Sequence, residues 1–132
     1  MLVYLAGPID AVDQKVAKHW REDASDFLVA HGFTTYSPVH AFSGKPECLT
    51  PERADAIIAI NNKALLMSNV VLANMDGVSY GTPIEVEAAY RNHIPVFGKG
   101  VNPNSIYKHH FHHIDDNINI LLGAILSWRS SQ

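Results

Sequence analysis

Cysteine is nearly absent: Cys48 is the only one in 132 residues. A single cysteine builds neither a disulfide framework nor a cysteine-based zinc cluster. Charge of one sign is also scarce, with ten Lys and Arg against thirteen Asp and Glu and a formal net charge of −3. A nucleic-acid surface would show a basic stripe, so no nucleic-acid polymer is expected as a partner. No run approaches the roughly 18–20 apolar residues of a membrane span, so no membrane partner is expected either. The opening MLVYLAGPID lacks a basic stretch ahead of an apolar core, and a cytoplasmic setting is expected. What the chain does have is a hydrophobic fraction of 47%. That suffices for the core of one domain spanning residues 1–132.

Short apolar runs alternate with helical periodicities along the chain. Leu2 to Ala6 reads as a buried strand stopped by Gly7-Pro8. Val16, Trp20, Ala24, Phe27 and Leu28 recur at helical spacing until His31-Gly32. Phe33 to Tyr36 forms a second strand, and Val39 to Leu49 reads as a loop. Thr50-Pro51 opens a second helix that runs to about Met67. Val70 to Ala73 is a third strand, Thr82-Pro83 opens a third helix, and Ile94 to Phe97 is a fourth strand. A closing helix lies around Asp115 to Trp128. This alternation predicts a flavodoxin- or Rossmann-like three-layer α/β sandwich with four or five parallel strands. Ligands of such sheets sit beyond the carboxyl ends of the strands. Three segments should meet there: Gly7 to Asp10, Asn74 to Thr82, and Gly98 to Ser105.

The segment Ser79-Tyr80-Gly81-Thr82-Pro83-Ile84-Glu85 is the richest in chemistry. Thr82 and Glu85 fit a capping box, in which the carboxylate bonds back to the Thr82 amide. Taken alone, that is the stronger account. The same geometry also suits a nucleophile, because a helix N-terminus favours an ionised carboxylate and Gly81 lets the backbone approach a ligand. Glu87 pairs simply with Arg91 one turn later. Asn61 interrupts the stripe formed by Ala54, Ile57, Ile58 and Leu65, and a buried amide without partners costs about 1–3 kcal/mol. It either bonds core backbone or faces the site. Asp10 fits a turn as well as a ligand contact. Tyr4 alternates with apolar neighbours as a core aromatic does, yet its hydroxyl needs a partner. The run Lys108-His109-His110-Phe111-His112-His113 lacks matched carboxylates and ligand spacing, so it reads as a weakly cationic loop rather than a metal site.

Three pieces, in order, resemble the nucleoside 2-deoxyribosyltransferase-like superfamily over roughly the first hundred residues. They are Val3-Tyr4-Leu5-Ala6-Gly7-Pro8, Ser68-Asn69-Val70-Val71-Leu72-Ala73 and Gly81-Thr82-Pro83-Ile84-Glu85. The resemblance places the family's catalytic glutamate on Glu85. It also marks departures. Asn61 and Asn69 stand where the family often has aspartate, and Glu87 replaces the glycine of its E-x-G-x-A pattern. Ser79 stands where deoxyribosyltransferases usually carry an aspartate near the sugar's 5′ hydroxyl. The serine resembles the branch that hydrolyses nucleoside 5′-monophosphates, and a hydroxyl donates to a phosphate that a carboxylate would repel.

The resemblance therefore implies cleavage of the N-glycosidic bond of a (deoxy)nucleoside 5′-monophosphate through a glycosyl-enzyme on Glu85. Asn61 and Tyr4 are further catalytic candidates. Gly7, Pro8, Ile9, Asp10, Asp76, Ser79, Gly81, Thr82 and Ser105 are the substrate-binding candidates, with Asp10 and Asp76 as possible acids toward the leaving base. The chemistry calls for no metal and no cofactor. Two other readings stand: base exchange between deoxynucleosides, and a catalytically degraded nucleotide-binding module. The family also implies a homodimer or larger assembly. The apolar residues Ile118, Leu121, Leu122 and Ile125 of the closing helix look surplus to a small sheet, so that helix is the expected interface. Ser105 and Lys108 are then expected to reach a neighbour's phosphate.

Overall fold

The computed structural model describes residues 1–8, 14–38, 46–77 and 79–132. Its strands are β1 (Leu2–Ala6), β2 (Thr34–Tyr36), β3 (Val70–Asn74), β4 (Val96–Lys99) and β5 (His113–Ile114). They form one sheet in the order β2-β1-β3-β4-β5, and every pairing is parallel. The helices are α1 (Gln14–Ala30), α2 (Pro51–Met67), α3 (Gly81–Arg91) and α4 (Ile118–Ser130). The expected α/β sandwich is therefore present, with five strands.

Alternation along the central strands divides the core in two. Val3, Leu5, Val70, Leu72 and Phe97 pack with Ala24, Leu28, Leu121, Leu122 and Ile125 of α1 and α4. Tyr4, Ala6, Val71, Ala73 and Val96 face Leu65 of α2 and Val86 and Ala89 of α3. Each fully buried Leu, Val or Phe contributes about 1.5–3 kcal/mol, which is why the strands read as continuous apolar runs.

Local chemistry sets the element ends. Gly32 closes α1 at φ +89°, with the Gly32 and Phe33 amides bonded back to Val29 and Leu28 in a Schellman arrangement. Thr50 caps α2 as expected, its hydroxyl accepting the Arg53 amide at 3.2 Å. Gly98 lies within β4, where a Cβ would come within 2.4 Å of the Phe111 ring.

Several boundaries and packings differ from the sequence reading. β4 starts at Val96 rather than Ile94, because Pro95 has no N–H to give and contributes only its carbonyl, to the Val71 amide. α4 starts at Ile118 rather than Asp115, because Asn117 caps it by accepting the Asn119 amide at 2.9 Å. The stretch read as a loop up to Leu49 contains a 3-10 turn at Pro46–Cys48, and its residues 39–45 lie outside the described residues. β5 falls in the segment read as a histidine-bearing loop, and two residues are too few to show a period. Ile58 is 61% exposed and does not belong to the inner stripe of α2. Nor is α4 a spare apolar surface: Leu121, Leu122 and Ile125 are buried against the protein's own sheet. These residues join the core over β1, β3 and β4.

Candidate active site

β1 brings Tyr4 to the face of the sheet covered by α2 and α3, where its side chain is fully buried. α3 begins after the loop that leaves β3 and carries Glu85 in its second turn. The Tyr4 hydroxyl donates to Oε2 of Glu85. β2 pairs beside β1 so that Tyr36 lies opposite Tyr4, and the two rings stack with centroids 5.4 Å apart. The Tyr36 hydroxyl in turn donates to Oδ1 of Asn61 on the inner face of α2, at 2.7 Å. Four elements thus converge through two tyrosines on one carboxylate and one amide.

The electrostatics follow from burial. Desolvation pushes the Glu85 carboxyl up to about 7, against the Tyr4 hydrogen bond and the Arg21 charge, which both pull it down. Burial also raises the Tyr4 hydroxyl far above its usual range, reinforced by the adjacent Glu85 charge, so Tyr4 acts as a hydrogen-bond donor. Tyr36 is raised by burial and by Glu85. Arg21, on the other side of the sheet, is drawn down by burial to about 10 and stays protonated at neutral pH.

The capping box does not form. Thr82 lies inside α3 and is 1% exposed, so it is not the residue that precedes the helix. Ser79 does the capping instead: its Oγ accepts the Thr82 amide at 3.2 Å and the Thr82 hydroxyl at 3.1 Å. This frees Glu85 to meet Tyr4, and it removes Thr82 from the groups open to a ligand. Gly81 is exposed beside Glu85, and a Cβ on it would stand 3.8 Å from Oε1.

Over residues 1–99 the sequence matches the family model described as nucleoside 2-deoxyribosyltransferase like. The chain belongs to the nucleoside 2-deoxyribosyltransferase-like family. Among solved structures, it is similar in fold to a 2-deoxyribosyltransferase from Bacillus psychrosaccharolyticus, with a TM-score of 0.76 and 20% identity over 92% of this chain and 90% of that one. A conserved protein from Enterococcus faecalis V583 aligns with a TM-score of 0.61 and 18% identity, over 94% of this chain and 87% of the other. Among curated proteins, none matches significantly.

The other candidate residues of this family member lie as follows. Pro8 is buried, and the Gly7 carbonyl is taken by Arg21 at 2.8 Å. Ile9 and Asp10 lie outside the described residues. Asp76 is exposed and paired with Lys99. Ser105 accepts the Tyr107 amide at 3.1 Å in the turn after β4, and no hydrogen bond among the described residues joins it to Glu85, Tyr4 or Tyr36. Glu87 pairs with Arg91 at 2.6 Å as expected, and also with His110 at 2.7 Å. The histidine run packs as aromatic faces, His110 on Tyr90 and His112 beside Phe97. A cavity of about 770 Å³ opens at the amino ends of the strands, where Met1, Asn69, Pro95 and His112 line it. It holds none of the Tyr4, Glu85 and Asn61 group, and ligands of parallel sheets bind at the other end.

Sequence reasoning missed Arg21 and Tyr36. Arg21 falls in register with the buried Ala17, Ala24 and Leu28 on α1, so a charged residue inside an apolar stripe was the signal. Tyr36 carried a weaker one, as an aromatic ending a strand that pairs beside Tyr4.

Proposed function

We propose that this protein cleaves the N-glycosidic bond of a nucleoside 5′-monophosphate, with Glu85 as nucleophile. The observation that carries the reading is the Tyr4–Glu85 hydrogen bond. It fixes the carboxylate by one oxygen, Oε2, and leaves Oε1 on the side of exposed Gly81. Glu85 forms an ester with C1′ as the C1′–N bond breaks, and the base departs with the electron pair and takes up a proton. Water then hydrolyses the ester, releasing the sugar phosphate and regenerating the carboxylate. Anomeric configuration is retained. Tyr4 keeps the nucleophile's rotamer, and Tyr36 with Asn61 supports Tyr4 from behind. Asp76 is the described candidate acid toward the leaving base.

Ser79 supports the phosphate in preference to a bare 5′ hydroxyl. It accepts both of its bonds from Thr82, so its own hydrogen is available to an anion at the start of α3, where the helix dipole favours negative charge. The deciding experiment incubates the protein with nucleosides and their 5′-monophosphates and follows free base by chromatography. Base release from monophosphates, absent in Glu85→Gln, is the expected result. Release only in the presence of an acceptor base would make the enzyme a transferase, and release from nothing would leave a nucleotide-binding module.

The working unit in this proposal is a homodimer in the cytoplasm, joined through the outer face of α2. Ile60, Leu66 and Met67 are each more than half exposed there.

A further inference from the structure

Arg21 heads the fully buried side chains by size, at 1% exposure. Arginine is almost never buried this far without a charged partner, because an unpaired buried charge is costly. Its hydrogen bonds nevertheless go to main-chain carbonyls: Nε to Leu5 at 3.3 Å, one terminal nitrogen to Ala17 at 2.7 Å, and the other to Gly7 at 2.8 Å. Among the described residues no carboxylate lies within ion-pair distance of it. The Trp20 ring lies 4.9 Å from the guanidinium carbon. Gly7 is shaped to this arrangement, since a Cβ there would stand 2.7 Å from the Trp20 ring and 3.2 Å from the guanidinium.

We propose that Arg21 is a positioning residue of the Glu85 site, clamping the carboxyl end of β1 through Leu5 and Gly7 and supplying Glu85 with a buried countercharge from across the sheet. The inference rests on the reading of Glu85 as the nucleophile. Two connections carry it. The clamp holds the backbone on either side of Ala6, two residues beyond the tyrosine that holds Glu85. The charge connection runs both ways, Arg21 drawing Glu85 toward ionisation and Glu85 keeping Arg21 protonated against its burial. From the neighbouring elements, the titratable groups acting on Glu85 are Tyr4 of β1 and Arg21 of α1, while Tyr36 of β2 and Arg21 itself feel Glu85's charge.

The test reads Glu85 directly and needs no substrate. The Glu85 side-chain carboxyl is titrated by ¹³C NMR in the whole protein, with Glu85→Gln for assignment. Wild type is compared with Arg21→Met, which removes the charge, and Arg21→Lys, which keeps it. The wild-type midpoint is expected near 7. Arg21→Met should raise it by about one pH unit, the low end of what an opposite charge nearby confers, and Arg21→Lys by less. The acid limb of base release should move with it, lowering kcat below neutral pH more than it alters KM. An unchanged midpoint in folded Arg21→Met overturns the proposal. A shifted midpoint with no base release in any variant upholds Arg21's role and defeats the glycosidase reading instead. If Arg21→Met does not fold, the Arg21 Nε–H resonance of wild type decides. It should follow the Glu85 titration and become flat in Glu85→Gln; a resonance already flat in wild type overturns the proposal.

Discussion

Replacing Glu85 with glutamine should stabilise the protein in alkali and leave it nearly unchanged in acid. The folded carboxyl titrates near 7 against an ordinary 4.5, chiefly because it is desolvated. Between those two values the unfolded chain has given up its proton while the folded one keeps it. Stability therefore falls as pH rises through that window, and above it the full cost of the buried charge is present. At about 1.36 kcal/mol per pH unit, a rise from 4.5 to about 7 makes the cost in alkali about 3–3.5 kcal/mol. Glutamine keeps an acceptor for the Tyr4 hydroxyl and carries no charge, so it escapes this cost. At about 4 °C per kcal/mol for a domain of this size, the variant should melt roughly 12–14 °C above wild type near pH 8.5. Near pH 5, where wild type is mostly protonated, the gap should shrink to a few degrees. Thermal denaturation by circular dichroism at both pH values, confirmed by urea titration, measures it. A gap of the same size at both pH values would refute the reasoning, because the stability difference would then not depend on ionisation of the Glu85 carboxyl.

The remaining expectations are simpler to state. Tyr4→Phe should lower turnover about 100-fold by freeing Oε2 of Glu85, and steady-state base release measures it. Ser79→Asp should weaken the use of monophosphates relative to nucleosides, as seen in the ratio of their kcat/KM values, and should keep the α3 cap, since aspartate also accepts the Thr82 amide. Asn61→Leu should strand the Tyr36 hydroxyl and cost about 1–3 kcal/mol in urea denaturation, reversing the gain expected of an apolar residue in that stripe. Ile60→Glu together with Met67→Glu should convert a dimer to monomer in sedimentation velocity, whereas a wild type that is already monomeric at working concentration removes the assembly through α2.

The fold was legible because a parallel sheet buried on both faces writes itself as apolar runs, and β1 and β3 are the least ambiguous of these. Helix starts were legible where a side chain makes them, as Thr50 does for α2. Elements that depend on tertiary pairing were not. β5 consists of two residues whose strand character comes from lying beside Phe97 and Gly98 in β4. The apolar residues assigned to an α4 interface cover the protein's own sheet instead, and α2 carries Ile60, Leu66 and Met67 among the exposed apolar side chains.

At the candidate site, the capping partner that local sequence offers Glu85 is replaced by Tyr4, and the reason is one of register. A capping box and a Ser79 cap differ by a shift of three residues, and both give Thr82 an amide to satisfy. Only the position of β1 decides between them, since Tyr4 offers the carboxylate a donor that local sequence does not contain. Asn61 and Arg21 make the same point from two helices. Each is a polar residue within an apolar stripe, and each is partnered from a strand: Asn61 by the Tyr36 hydroxyl and Arg21 by the Leu5 and Gly7 carbonyls. Arg21 stands in register with the buried Ala17, Ala24 and Leu28 of α1, as Asn61 does with the inner residues of α2. A guanidinium can satisfy itself on carbonyls alone, so a charge at a core position of α1 was as informative as an amide at a core position of α2.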